Sequence, residues 1–167
     1  MALTYHKAGI EDIDVLTATR IMVLKAANQL DDAADMQKVE QEAYAYYARA
    51  LKDGSHVAYL VYDDSRIVGS GGVSFFQVMP TYHIPTGKKA YIMNMYTHPD
   101  YRRRGIAWHT LDLLVNEAKK QGVSAIFLEA TDMGRPLYEK YGFDDLKSEM
   151  VFREETISCC EVMDVCL

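Results

Sequence analysis

Arg102, Arg103, Arg104, Gly105, Ile106 and Ala107 stand in one short run, and their types suit one kind of chemistry. The arginines bring positive charge, while glycine and alanine leave the main chain nearly bare. A small-residue turn that opens a helix leaves several backbone N–H groups unpaired and pointing the same way. With the helix dipole these groups make an anion site, and phosphate is the usual occupant. A solvated turn or a localisation signal would also be rich in arginine. Neither needs the glycine and alanine that follow directly.

The elements on either side are what such a turn requires. Residues 91–97 are rich in β-branched, aromatic and long apolar side chains, suited to a buried strand. His98, Pro99 and Asp100 then break the strand, because proline cannot continue a ladder. Beyond the turn, Leu111, Leu114, Val115 and Ala118 recur at helical spacing, and Gly122 sits where a C-terminal cap belongs.

Arg102-x-x-Gly105-x-Ala107 resembles the Q/R-x-x-G-x-G/A motif with which the GNAT superfamily of N-acetyltransferases holds the pyrophosphate of acetyl-CoA. A second segment is similar to the same superfamily. It runs through Leu128, Glu129, Ala130 and Thr131 to Arg135-Pro136-Leu137-Tyr138-Glu139-Lys140-Tyr141-Gly142-Phe143. The two segments cover about residues 90–145. The resemblance implies an α/β (α+β) fold. Its single domain, spanning 1–167, would hold a mixed, mostly antiparallel sheet flanked by helices. Two central parallel strands would splay apart in a V. Acetyl-CoA would be the acetyl donor, with its pantetheine lying in that gap as an extra strand, bonded near Met95 and Thr97. The N–H of Met95 would polarise the thioester carbonyl. Backbone N–H groups from Arg103 through Ala107, Ile106 included, would hold the pyrophosphate beside Arg102 and Arg104. Tyr138 matches the tyrosine that superfamily members use as general acid toward the departing thiolate.

The reaction so implied is direct attack of an amine on a thioester. An amine with the pKa of lysine is neutral in about one molecule in a thousand or fewer at pH 7, so a base is needed. Many GNAT enzymes carry a glutamate on the central strand, where this chain offers Tyr91, Met93 and Asn94. Glu129 is the best remaining carboxylate and His83 the best imidazole. Glu129 also reads as a structural, hydrogen-bonded strand residue, and a water relay would serve as well. No cysteine is placed as a nucleophile, and no metal-ligand spacing is visible, so no metal is expected.

The remaining 90 or so N-terminal residues are expected to form the acceptor side, about residues 9–89. Residues 3–7 alternate like a first strand. Gly9 can cap a helix carrying Leu16, Val23, Ala26, Ala27 and Leu30. Asp31 and Asp32 end it and open a second helix, with Met36, Val39, Ala43, Tyr46, Tyr47 and Ala50 on one face, stopped by Gly54. Residues 56–62 and 67–77 read as a hairpin. Gly69, Gly71 and Gly72 in its second strand suggest a bulge or a close backbone approach, since no helix start follows them as a phosphate loop would need. Residues 78–89 form a loop that carries Tyr82 and His83. These two are read either as acceptor-binding groups or as ordinary surface. Residues 124–131 and 148–153 read as further strands, the first followed by a short helix from Pro136.

Composition sets the outer bounds. A chain of 167 residues, 49% hydrophobic and 25% charged, matches one soluble domain with a real core. The net charge of −6 argues against a nucleic-acid surface, and mildly suits a cationic small-molecule or peptide amine as acceptor. No apolar run reaches membrane length, and the N-terminal residues lack the order of a signal peptide, so no membrane partner and a cytoplasmic location are expected. Cys159, Cys160 and Cys166 are read as free thiols in a reducing compartment. A homodimer is kept open. Two other functions also remain: a CoA-binding regulatory domain without turnover, and a nucleotide-binding protein. The missing Walker lysine speaks against the second.

Overall fold

The computed structural model describes residues 3–150 and 152. Its sheet has five strands in sequential order: β1 (Thr4–Lys7), β2 (His56–Asp63), β3 (Arg66–Gln77), β4 (Lys88–Thr97) and β5 (Ala125–Leu128). Neighbours are antiparallel except β4 and β5, which run parallel and are joined through a helix. The helices are α1 (Ile13–Ala27), α2 (Gln37–Asp53), α3 (Ile106–Lys120) and α4 (Arg135–Tyr141). No helix among the described residues is long and apolar enough to cross a membrane.

Strand alternation sorts the core onto two faces. Ala58 and Leu60 of β2 meet Ile13, Leu16 and Tyr47, so α1 and α2 cover one face. Val57, Val73, Ala90 and Ile92 meet Leu111, Leu114 and Tyr138, so α3 and α4 cover the other. Gly54 at φ 75° and Gly142 at φ 112° stop α2 and α4 in the left-handed conformation that glycine adopts freely. Behind the sheet, the buried Glu117 carboxylate takes Lys7 Nζ at 2.7 Å, Lys120 Nζ at 3.1 Å and the Tyr59 hydroxyl at 3.1 Å. Burial alone would raise the Glu117 pKa, but these donors hold it below the usual carboxylate value. One side chain thereby ties α3 to β1 and β2.

Several element readings need correction. The second helix starts at Gln37 and not at Asp31 and Asp32, and β4 replaces the end of the expected 78–89 loop from Lys88. The first helix ends at Ala27, because Asn28 turns its side chain back onto the Leu24 carbonyl, and Leu30 is exposed. The strand expected over 124–131 is only Ala125–Leu128, since its pairing with β4 stops there. The strand expected over 148–153 does not form at residues 148–150, and 151 and 153 lie outside the described residues. The three cysteines and the tail from 157 onward also lie outside them.

Candidate functional site

The turn before α3 is built by two left-handed residues, Arg103 at φ 65° and Gly105 at φ 81°. Gly105 is the N-cap of α3, and the first N–H to find an intrahelical partner is that of His109, bonded to the Gly105 carbonyl at 3.0 Å. The N–H groups of Arg103, Arg104, Gly105, Ile106, Ala107 and Trp108 donate to no acceptor among the described residues. A Cβ at Gly105 would meet nothing within 4 Å, so the space before these amides is open. Arg104 lies over the Tyr101 ring at 4.9 Å, and Arg102 Nε reaches the Thr97 carbonyl at 3.4 Å. Tyr101 is itself fixed by donating to Asp63 at 2.6 Å. A row of free amides and a helix dipole, with exposed guanidinium groups beside them, suit a phosphate.

Upstream of the turn, β4 leaves the sheet's regular pairing. The β4–β5 register ends at Ile92 opposite Leu128, while β4 continues to Thr97. The two parallel strands therefore part company after Ile92, which gives the expected splay. On its other side β4 carries a bulge: Met93 pairs with Gly72 but Tyr96 pairs with Ser70, so Asn94 and Met95 stand against Gly71 alone. Asn94 takes φ 58°, and its carbonyl accepts from the Ser70 hydroxyl at 3.0 Å. A bulge takes a backbone group out of the ladder and re-aims it, which a strand needs if it is to bond a ligand.

A cavity of about 530 Å³ lies between α1, α2 and the same stretch of β4. Arg20, Tyr46, Tyr47, His56, Met93 and Asn94 are among its walls. On its floor the Tyr46 hydroxyl is 2.6 Å from Ser74 Oγ and 3.1 Å from His56 Nδ1, and the serine is 3.0 Å from the same nitrogen. Burial, assisted by the Arg20 charge, pushes the His56 pKa down to about 4, so its imidazole is neutral near pH 7. Burial pushes the Tyr47 phenol up to about 12.

With this geometry in view, comparison with known proteins is decisive. A model of the "Acetyltransferase (GNAT) family" matches residues 24–143. The chain belongs to the GNAT acetyltransferase family. Among solved structures, a "predicted acetyltransferase with acetyl-CoA" from Clostridium acetobutylicum is 34% identical. It aligns over 91% of this chain and 96% of its own at a TM-score of 0.83. A GCN5-related N-acetyltransferase from Ralstonia eutropha is 24% identical over 91% and 98% of the two chains, with a TM-score of 0.79. Glucosamine-6-phosphate N-acetyltransferase from Arabidopsis thaliana is 15% identical over 92% and 99%, with a TM-score of 0.68. The last two resemblances speak for the GNAT fold alone. No curated protein sequence matches the chain significantly.

The residues singled out in the sequence fall into three groups on this GNAT scaffold. Arg102 to Ala107 form the amide turn, and Met95 and Thr97 lie on the part of β4 beyond the splay. Tyr138 of α4 is 8% exposed and belongs to the apolar cluster against which Met95 and Leu128 pack. Burial raises its phenol pKa, so the hydroxyl keeps its proton. Glu129 is exposed just past β5 and faces Tyr91. Burial first, and then a hydrogen bond to Glu129, pushes the Tyr91 phenol up to about 12. Tyr82 and His83 stand apart. Tyr82 is 92% exposed, its ring packs on His83 at 5.3 Å, and neither lines the cavity. The loop is closed on itself by Val78 to Gly87, Thr81 to Ile84 and Gln77 to Thr86 bonds, which hold it as an extension of the β3–β4 hairpin.

Arg20, Tyr46, His56, Ser74 and Asn94 were not singled out from sequence as members of one cavity. Tyr46 was read on the apolar face of the second helix and Asn94 as standing where many GNAT enzymes carry a glutamate, while Arg20, His56 and Ser74 carried no signal. The others come together through strand pairing, as His56 opposite Ser74 shows.

Proposed function

We propose that this GNAT protein transfers the acetyl group of acetyl-CoA to a primary amine by direct attack, with donor and acceptor bound together. The observation that carries the reading is the row of unclaimed N–H groups from Arg103 to Trp108, next to a β4 whose edge is open beyond Ile92. Acetyl-CoA supplies the acetyl group as an activated thioester. Amides of the turn, with Arg102, Arg103 and Arg104, hold the pyrophosphate. Met95 N–H, in the bulge, hydrogen-bonds the thioester carbonyl and favours negative charge on that oxygen as the amine attacks. Thr97 bonds the pantetheine arm. Tyr138 gives its hydroxyl proton, or a strong hydrogen bond, to the departing thiolate. The phenol is the weaker acid of the pair, so it acts through position inside an apolar cluster. Glu129, exposed on the Tyr91 side of the sheet, receives the amine proton directly or through water.

In this reading residues 90–145 are the donor half and α1 with α2 wall the acceptor half of one domain working in the cytoplasm. Thiol release from acetyl-CoA, followed across amines, amino acids, aminoglycosides, polyamines and peptides, tests it. Turnover with at least one primary amine is the expected result. Tight acetyl-CoA binding without turnover of any amine would replace it with a CoA-binding regulatory domain.

A further inference from the structure

Arg20 is a half-buried cation without a carboxylate. It projects from α1 into the cavity beside β4, and its nearest polar contact is Nη1 to Asn94 Oδ1 at 3.4 Å, long for a hydrogen bond. It takes part in none of the ion pairs among the described residues. Arg49, a second cation on the same wall, lies over the Tyr46 ring at 5.9 Å and is near enough to Asp53 to help the Ser55 hydrogen bonds lower that carboxyl's pKa. Glu42 is the sole acidic residue in that lining, so two positive charges face one negative in a protein of net charge −6. A partly desolvated guanidinium is costly unless an anion answers it, and its planar fork matches a carboxylate.

The rest of the lining narrows the ligand. Leu24, Val39, Phe75, Phe76 and Met93 supply apolar walls. The polar groups Tyr46, Ser74 and His56 Nδ1 already bond one another, and the unpartnered His56 Nε2 is buried against Gly72, so a hydroxyl-rich acceptor such as an amino sugar finds few partners. Position narrows it again. Arg20 touches Asn94, the residue that shares the bulge with Met95, so the bound anion stands close to where the acetyl group changes hands.

Resting on the acetyltransferase reading above, we infer that the acceptor is an amino acid with a free α-amine, its carboxylate held by Arg20 and its apolar side chain lodged between α2 and the β3–β4 strands. The anion and the amine sit on one carbon, which matches the short distance from Arg20 to the bulge. This replaces the cationic acceptor that the overall acidic charge suggested, because local charge and not net charge faces the ligand.

The test compares phenylalanine, leucine and methionine with their carboxamides and with phenethylamine. Thiol release gives kcat and KM, and calorimetry on the CoA-loaded protein gives binding. The acids are expected to be preferred at least tenfold over the amides. Arg20→Gln is expected to erase that preference by raising KM for the acids alone, with the acetyl-CoA Kd unchanged, and Arg20→Lys to keep part of it. Equal use of acids and amides, a stronger response to glucosamine 6-phosphate or to polyamines, or an equal loss for all ligands in Arg20→Gln overturns the inference. Calorimetry separates the two readings: acid-selective binding without thiol release would overturn the acetyltransferase reading and leave the Arg20 site standing.

Discussion

A β-carbon on Gly69 would lie 2.9 Å from Cγ2 of Ile106, so the first residue of α3 is seated on a strand position that has no side chain. Two residues on, a β-carbon at Gly71 would meet Met95 Sδ and Thr110 Cγ2, each at 2.7 Å. Bare backbone on β3 thus sets how deeply the start of α3 sinks, and with it where the free amides of the turn stand.

Gly69→Val is therefore expected to push α3 away from the sheet. Overpacking of this kind costs about 1–3 kcal/mol. Denaturant unfolding should show that loss, and calorimetry should show weaker acetyl-CoA binding in the protein that still folds. Unchanged stability would mean that α3 is not seated through Gly69.

Gly105→Val separates the ligand from the fold. The new β-carbon meets no protein atom within 4 Å, although the left-handed backbone adds roughly 1–2 kcal/mol of strain. The variant should fold yet lose at least tenfold in acetyl-CoA affinity, because the bulk enters the space before the amides. An unaltered Kd in a folded variant would remove the pyrophosphate from this turn.

Tyr138→Phe keeps the ring in its apolar cluster and deletes the hydroxyl. General acid catalysis contributes about 10²- to 10⁴-fold, so kcat should fall within that range while the acetyl-CoA Kd holds. Full activity when chemistry limits the rate would rule out a proton from Tyr138.

The turn before α3 was legible because its residues are local in sequence. Arg102 to Ala107 are contiguous, and a turn that must bare its amides can hardly avoid glycine. The bulge and close approach read from Gly69, Gly71 and Gly72 are both present, the bulge between Ser70 and Gly72 and the approach of α3 at Gly69 and Gly71. The cavity between α1, α2 and β4 was not legible in the same way. Arg20 and Asn94 are 74 positions apart and meet only because α1 packs over a bulged β4. Tyr82 and His83 are an aromatic pair on a loop that bonds to itself, and neither lines the cavity.

His56 gives the stability a pH signature. Its native pKa is depressed from 6.5 to about 4, so the unfolded chain binds a proton that the native protein refuses between those values. Stability is full above pH 6.5 and falls as pH drops toward 4, by at most about 3.5 kcal/mol at 1.4 kcal/mol per unit. Denaturation midpoints across this window should slope in the wild type and flatten in His56→Gln. Equal slopes would place the titration elsewhere.

Replacing Tyr82 and His83 together with alanine is expected to leave acceptor KM within about twofold, since neither lines the cavity. Tyr46→Phe, which removes a hydroxyl bonded to both Ser74 and His56, should change KM or kcat by more. The opposite ranking, read from steady-state kinetics, would return acceptor binding to the loop.

Beyond Ile92, β4 shows one flank that no described strand covers, in the middle of the sheet and not at its rim. A strand flank with free N–H and C=O groups is a template for any extended chain that reaches it. Bound donor would act there as a guard against misassembly as well as a reactant. Protein depleted of CoA should clump sooner on storage and melt lower. Its Tm should climb with ligand concentration as mass action requires. Supply of acetyl-CoA in the cell would then set how long the protein lasts as well as how fast it works.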